Sequence, residues 1–232
     1  MNNRTRFAKC FIIIVEECKS WLSDFVENRV KTIPGNLSLE QFIRAKQMSN
    51  DPRIRRFFNT MKTSTDLDVT ALQSIIRVGK LLLPGEEKTA LHVGKTIGDY
   101  VDRIREIRNT FMHTESANLG EQDYSNYFAE FCTIAVRFER ENNVPAGWYV
   151  DKLEKNNKTP LDNEAVDRII EHFNEYVENF IKNESQMSEQ QEPTATSNTG
   201  GTALAIVGGA VGLVADVVSV SKKVIGIQYI CA

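Results

Sequence analysis

From Arg4 to Val30 the apolar residues Phe7, Phe11, Ile14, Cys18, Leu22 and Phe25 return every three or four positions, the period of a helix with one buried side. A strand needs strict alternation, and nothing in the first 145 residues supplies it. The same helical period recurs in Ile97, Val101, Ile104, Ile107, Phe111 and Met112, and again in Tyr124, Tyr127, Phe128, Phe131, Ile134, Ala135 and Phe138. One-sided helices bury their stripes against one another, so the chain is expected to be all-α, an up-down bundle spanning residues 4–145. The aromatic stripe from Tyr124 to Phe138 reads as core packing, not as a platform for stacking bases.

Local signals set the boundaries. Ile33-Pro34-Gly35-Asn36 is turn chemistry, and Ser38 with Gln41 makes a capping box that opens a short helix to about Lys46. Asp51-Pro52 starts another, through about Met61, whose Arg53, Arg55 and Arg56 read as a solvated face. Asp66-Leu67-Asp68 caps a helix predicted to reach about Leu83, and Thr96 with Asp99 suits the start of the helix that ends at His113. Asn142 to Gly147 breaks the pattern, and the stretch from there through Lys158 gives no defined element. Thr159-Pro160 then opens an amphipathic helix, with Val166, Ile169, Ile170, Phe173, Val177, Phe180 and Ile181 on its apolar side. That side must pack on the bundle or on a copy of itself. Residues 146–184 therefore divide into linker and helix.

Residues 185–201 are polar, with Met187 and Ala195 almost alone as apolar side chains, which predicts a disordered linker. Residues 202–232 form an apolar, glycine-rich segment. Within it Thr202 to Val220 carries Gly208 and Gly212 at helix-pairing spacing, Asp216 as its one charge, and Lys222-Lys223 just beyond. Three readings stay open: a transmembrane tail anchor, a hairpin that inserts conditionally, and the start of a further domain. A cytoplasmic protein, anchored to a membrane through residues 202–220 in the first reading, is the expectation.

The net charge of −3 excludes a protein that coats nucleic acid through sheer basicity, so any nucleic-acid site must be local. Cys10, Cys18, Cys132 and Cys231 show no Cys-x-x-Cys pair, which argues against a structural metal or a disulfide framework; no metal and no cofactor are expected. Phe11 to Val15 is too short for a signal peptide and is interrupted by Glu16-Glu17, which leaves Asn36-Leu37-Ser38 and Asn183-Glu184-Ser185 as unused glycosylation patterns. Gly94-Lys95-Thr96 has Thr89 where a phosphate loop needs glycine and follows no strand.

The candidate site is Arg108-Asn109-Thr110-Phe111-Met112-His113. A fixed cation and a titratable imidazole at a helix end could flank one phosphate. Five residues, however, turn a helix by about 140°, so the pair meets only where the end unwinds or a second subunit supplies one half. In the alternative reading Arg108 and Asn109 bond helix-end carbonyls and His113 caps the C-terminus. His172, preceded by Arg168 at a different spacing, reads as surface.

Phe7 to Phe25, Asp66 to Leu72 leading into Arg77, Ile104 to His113 and Tyr124 to Phe138 together resemble the HEPN-type domain named after the DAZ-interacting zinc-finger protein. The resemblance covers about residues 5 to 142. It implies a four- or five-helix up-down bundle, commonly a homodimer, whose paired motifs line a cleft at the two-fold axis. In catalytic members of the wider superfamily such a motif cuts RNA without metal. Carried over, Arg108 would hold the scissile phosphate, Asn109 would fix it by hydrogen bonding, and His113 would move the proton. Glu115 departs from the toxin subgroup, which has tyrosine there, and no zinc-binding ring is present to support ubiquitin-ligase activity. Two expectations follow. The first is an interaction or RNA-binding module in defence or stress signalling, and the second a metal-independent endoribonuclease.

Overall fold

The computed structural model describes residues 1–58, 63–87, 89 and 96–189. The protein is all-α, with no strand among the described residues. Met1–Met187 forms one compact unit. The second, Ser188–Ala232, lies outside the described residues beyond Glu189, and with it the apolar segment 202–220. No helix among the described residues is long and apolar enough to cross a membrane.

Helix α1 (Asn3–Ile12) starts at Asn2, whose side chain accepts from the Thr5 amide at 2.8 Å. It passes through a π-helical turn, Ile13–Cys18, into α2 (Lys19–Lys31). The apolar period thus runs unbroken, as the sequence predicts, but the wider turn also brings Glu17 inside. Its carboxylate is held by Asn156 Nδ2 and Lys152 Nζ, each at 2.9 Å.

Helix α3 (Leu39–Ala45) carries both arms of the Ser38/Gln41 capping box, and α4 (Pro52–Phe58) begins at the expected proline. Residues 59–62 lie outside the described set, and with them the predicted end near Met61.

Helix α5 (Val69–Val78) is capped by Asp68 through the Ala71 amide at 2.8 Å, but stops before the predicted Leu83. The chain closes on itself there. Lys80 N–H reaches Arg77 O and Leu81 N–H reaches Ile76 O, with Lys80 left-handed at φ 53°, a Schellman ending. Leu81 is thereby folded into the core, where a straight helix would have carried it past.

Helix α6 (Ile97–Met112) begins at a complete Thr96/Asp99 capping box. Helix α7 (Glu121–Glu141) buries Tyr124, Phe131, Ile134, Ala135 and Phe138. It runs in the same direction as α1 and α2: Arg6 meets Glu121 at one end, and Arg29 meets Glu141 at the other. Phe7 lies against Phe111 at 5.3 Å between centroids, and Phe25 sits edge-on to Phe138 at 6.0 Å. Burying each such side chain stabilises the fold by about 1.5–3 kcal/mol.

The stretch before Lys158, which gives no defined element by its sequence, is a helix, α8 (Trp148–Lys158). The correction has a tertiary cause, because its first-turn amides are satisfied by a carboxylate from another helix. Glu139 accepts from Gly147, Tyr149 and Val150 N–H at 2.9, 2.8 and 3.1 Å. Helix α9 (Asn163–Glu189) packs on the bundle, with Phe173 edge-on to Phe7 and Phe11. It continues past Lys182 into the stretch predicted as linker.

Candidate functional site

Helix α6 carries the motif, and its buried side is the predicted one: Ile97, Val101, Ile104, Ile107, Phe111 and Met112. Arg108, four residues after Ile104 of that stripe, is itself buried with 4% of its surface exposed. Its Nη1 donates to Thr70 Oγ1 on α5 at 2.9 Å, and its guanidinium carbon lies 4.9 Å from the centroid of Phe180 on α9. Tyr176 of α9 is close enough for Arg108 to oppose the upward pull that burial, then Asp68, exerts on the tyrosine pKa. Among the described residues no carboxylate forms an ion pair with Arg108, so its charge is answered by hydroxyls and a ring face.

Asn109 is half-buried, and its Oδ1 has no hydrogen-bond partner among the described residues. His113 caps α6 through its backbone, with N–H to Asn109 O at 3.2 Å, and its side chain is exposed. No hydrogen bond or ion pair joins the side chains of Arg108, Asn109 and His113 to one another. Helix α6 keeps its regular turn to Met112, so positions 108 and 113 lie about 140° apart around the helix, as the spacing dictates. A cavity of about 210 Å³ lies elsewhere, lined by Lys9, Ile13, Tyr124, Asn157 and Leu161 among others, and none of the three motif residues reaches it.

A second basic grouping is built by tertiary contact. Asp102 on α6, 4% exposed, is paired by Arg77 from the end of α5 and by Arg105 from its own helix at 3.5 Å, both on Oδ1. Arg53 on α4 is close enough that burial, then Arg105, then Arg53 hold the Arg77 guanidinium below the ordinary arginine value. Arg53 is itself paired with Asp51 at 2.9 Å, and Arg56 with Asp68. Sequence reasoning isolated the α4 arginines as a solvated face. It had no means of adding Arg77 and Arg105, which lie far away in sequence. The one available signal was Asp102, a carboxylate flanked by the buried Val101 and the arginine-rich turn that follows.

Among the described residues no cluster of histidine, cysteine and carboxylate side chains could hold a metal. His172 is exposed, as expected, with its ring edge-on to Phe11. The chain matches no known family model, and no curated protein or solved structure matches it.

Proposed function

We propose that the chain is a HEPN-type helical module that binds RNA without cutting it, acts in defence or stress signalling, and pairs with a second copy through its bundle. The observation that carries the non-cutting part is the state of Arg108. A guanidinium that stabilises a phosphorane-like charge must reach the phosphate. This one is committed to Thr70 and Phe180 beneath a helix, while His113 stands exposed without it. The resemblance supports the bundle and its pairing, and the apolar segment 202–220 supports a membrane tether.

A second reading, a metal-independent endoribonuclease using Arg108, Asn109 and His113 at a dimer cleft, draws on the exposure of His113 and requires α9 to leave Arg108. The full chain and its His113→Ala variant, incubated with single-stranded RNA in chelator, separate the two. RNA bound and intact with both proteins is the expected result. Cyclic-phosphate ends made by the parent and lost in the variant would establish the nuclease instead. The tether predicts pelleting with membranes that alkaline carbonate does not reverse, and recovery in the soluble fraction refutes it.

A further inference from the structure

We propose that the arginines gathered on α4, the end of α5 and α6, namely Arg53, Arg56, Arg77 and Arg105, form the docking surface for the phosphodiester backbone of a single-stranded nucleic acid. This rests on the reading of the chain as an RNA-binding module, and places its contact away from the Arg108/His113 motif.

The first ground is charge segregation. Arg53, Arg56, Arg77 and Arg105 share three ion-paired carboxylates, Asp51, Asp68 and Asp102, and Arg108 nearby has no carboxylate ion pair among the described residues. The surface is locally basic on a chain whose net charge is −3. Such segregation focuses a positive potential on one region while the remainder repels polyanions.

The second ground is orientation. The buried Asp102 fixes Arg77 and Arg105 at one point, yet their side chains remain 45% and 36% exposed. Arg53 and Arg56 are 41% and 33% exposed. Each guanidinium is thus paired with a carboxylate while part of its side chain stays open to solvent. A fork held this way loses little rotamer freedom when it takes a phosphate. Buried Arg108, one turn along α6 from Arg105, adds field without contact.

The third ground is extent. Arg77 and Arg105 converge on Asp102, whereas Arg56 sits at the opposite end of α5, on its N-cap Asp68. Two separate foci suit phosphates a few nucleotides apart on one strand better than one phosphate group. Contacts of this kind read neither base nor sugar, so RNA and DNA strands should bind alike through them.

The test is fluorescence anisotropy of a labelled 12-residue oligouridylate with the full chain between 50 and 200 mM salt. Four phosphate contacts predict a log–log salt slope of about −3. The Arg53→Gln/Arg105→Gln variant should bind about tenfold or more weakly, with a slope shallower by about 1 to 1.5. Arg53→Gln alone, whose partner Asp51 is on the same turn, should give part of that loss with the fold intact. His113→Ala should stay within about threefold of the parent, as should an oligothymidylate of equal length. Binding by the parent that neither arginine variant weakens overturns this surface and leaves the RNA reading standing. Failure of the parent to bind at all overturns both. Displacement of the oligonucleotide by an equal concentration of a phosphotyrosine peptide would assign the surface to single phosphate groups and also overturn the proposal.

Discussion

The guanidinium of Arg108 is stacked against Phe180 at 4.9 Å, and the contact joins the motif helix to the last helix of the bundle. Truncating Phe180 to alanine removes the ring that covers a buried cation with no carboxylate partner. A cation–π contact of this sort contributes about 0.5–2 kcal/mol beyond the lost packing. Phe180→Ala should therefore lower the unfolding free energy by about 2 kcal/mol in urea. Amide exchange should speed up along α9 and leave α2 and α7 as they were. Uniform loss of protection throughout the bundle would show that α9 is not a separable cover.

Helix α8 is held at both ends by charged side chains from other helices. Glu139 takes three amides at its N-terminus, and Lys9 Nζ donates to the carbonyls of Asn156, Asn157 and Thr159 at 2.9, 2.5 and 2.7 Å at its C-terminus. Each charge also opposes the adjacent end of the helix dipole. Replacing either residue strands several part-buried polar groups, so Glu139→Ala and Lys9→Met should each cost about 2–3 kcal/mol in a denaturant titration. Glu139→Gln, which keeps one acceptor, should cost less. Equal losses for Gln and Ala would deny the carboxylate its capping role.

Gly79 owes its place to a close-packed carbonyl and ring, not to its backbone angles. A Cβ there would meet the backbone oxygen of Ile75 and, at 2.9 Å, two carbons of Phe42, while the left-handed residue that closes α5 is the next one, Lys80. Gly79→Ala should destabilise by about 1–3 kcal/mol through overpacking. Lys80→Gly, which relieves a left-handed conformation, should be neutral or stabilising by several tenths. The two melting temperatures, compared side by side, check the assignment.

Alkaline titration gives a fourth check. Burial raises Tyr124 to about 12 and also raises Tyr149, to which the hydrogen bond with Asp24 adds. These phenols keep their protons in the folded protein above pH 10, where the unfolded chain loses them. The contribution of these two tyrosines to stability should be level below pH 10 and fall as pH rises from there toward 12. Tyrosinate absorbance should lag that of the urea-unfolded chain over the same window. Coincident titration in both states would contradict the burial of these hydroxyls.

How much could be read from the chain depends on how local the deciding interaction is. The capping boxes at Ser38 and Thr96 and the cap at Asp68 are contacts across three residues, and each appears where the sequence puts it. Helix α8 escaped notice because the carboxylate that nucleates it belongs to α7. The early end of α5 did too, since the helix is turned back by its own carbonyls and closed under Phe42. The motif itself was legible in spacing alone. Spacing could place Arg108 at the border of the apolar stripe, but not beneath Phe180.

What the sequence determined by itself is the all-helical class and the buried side of each long helix, because a period of three to four is an intrinsic property of neighbouring residues. Only the tertiary structure decided that Arg108 is covered and His113 bare, and that Arg53, Arg77 and Arg105 gather about Asp102. Those outcomes depend on which helices become neighbours. Residues on separate helices meet through the packing of the core, and their separation along the chain carries no trace of it.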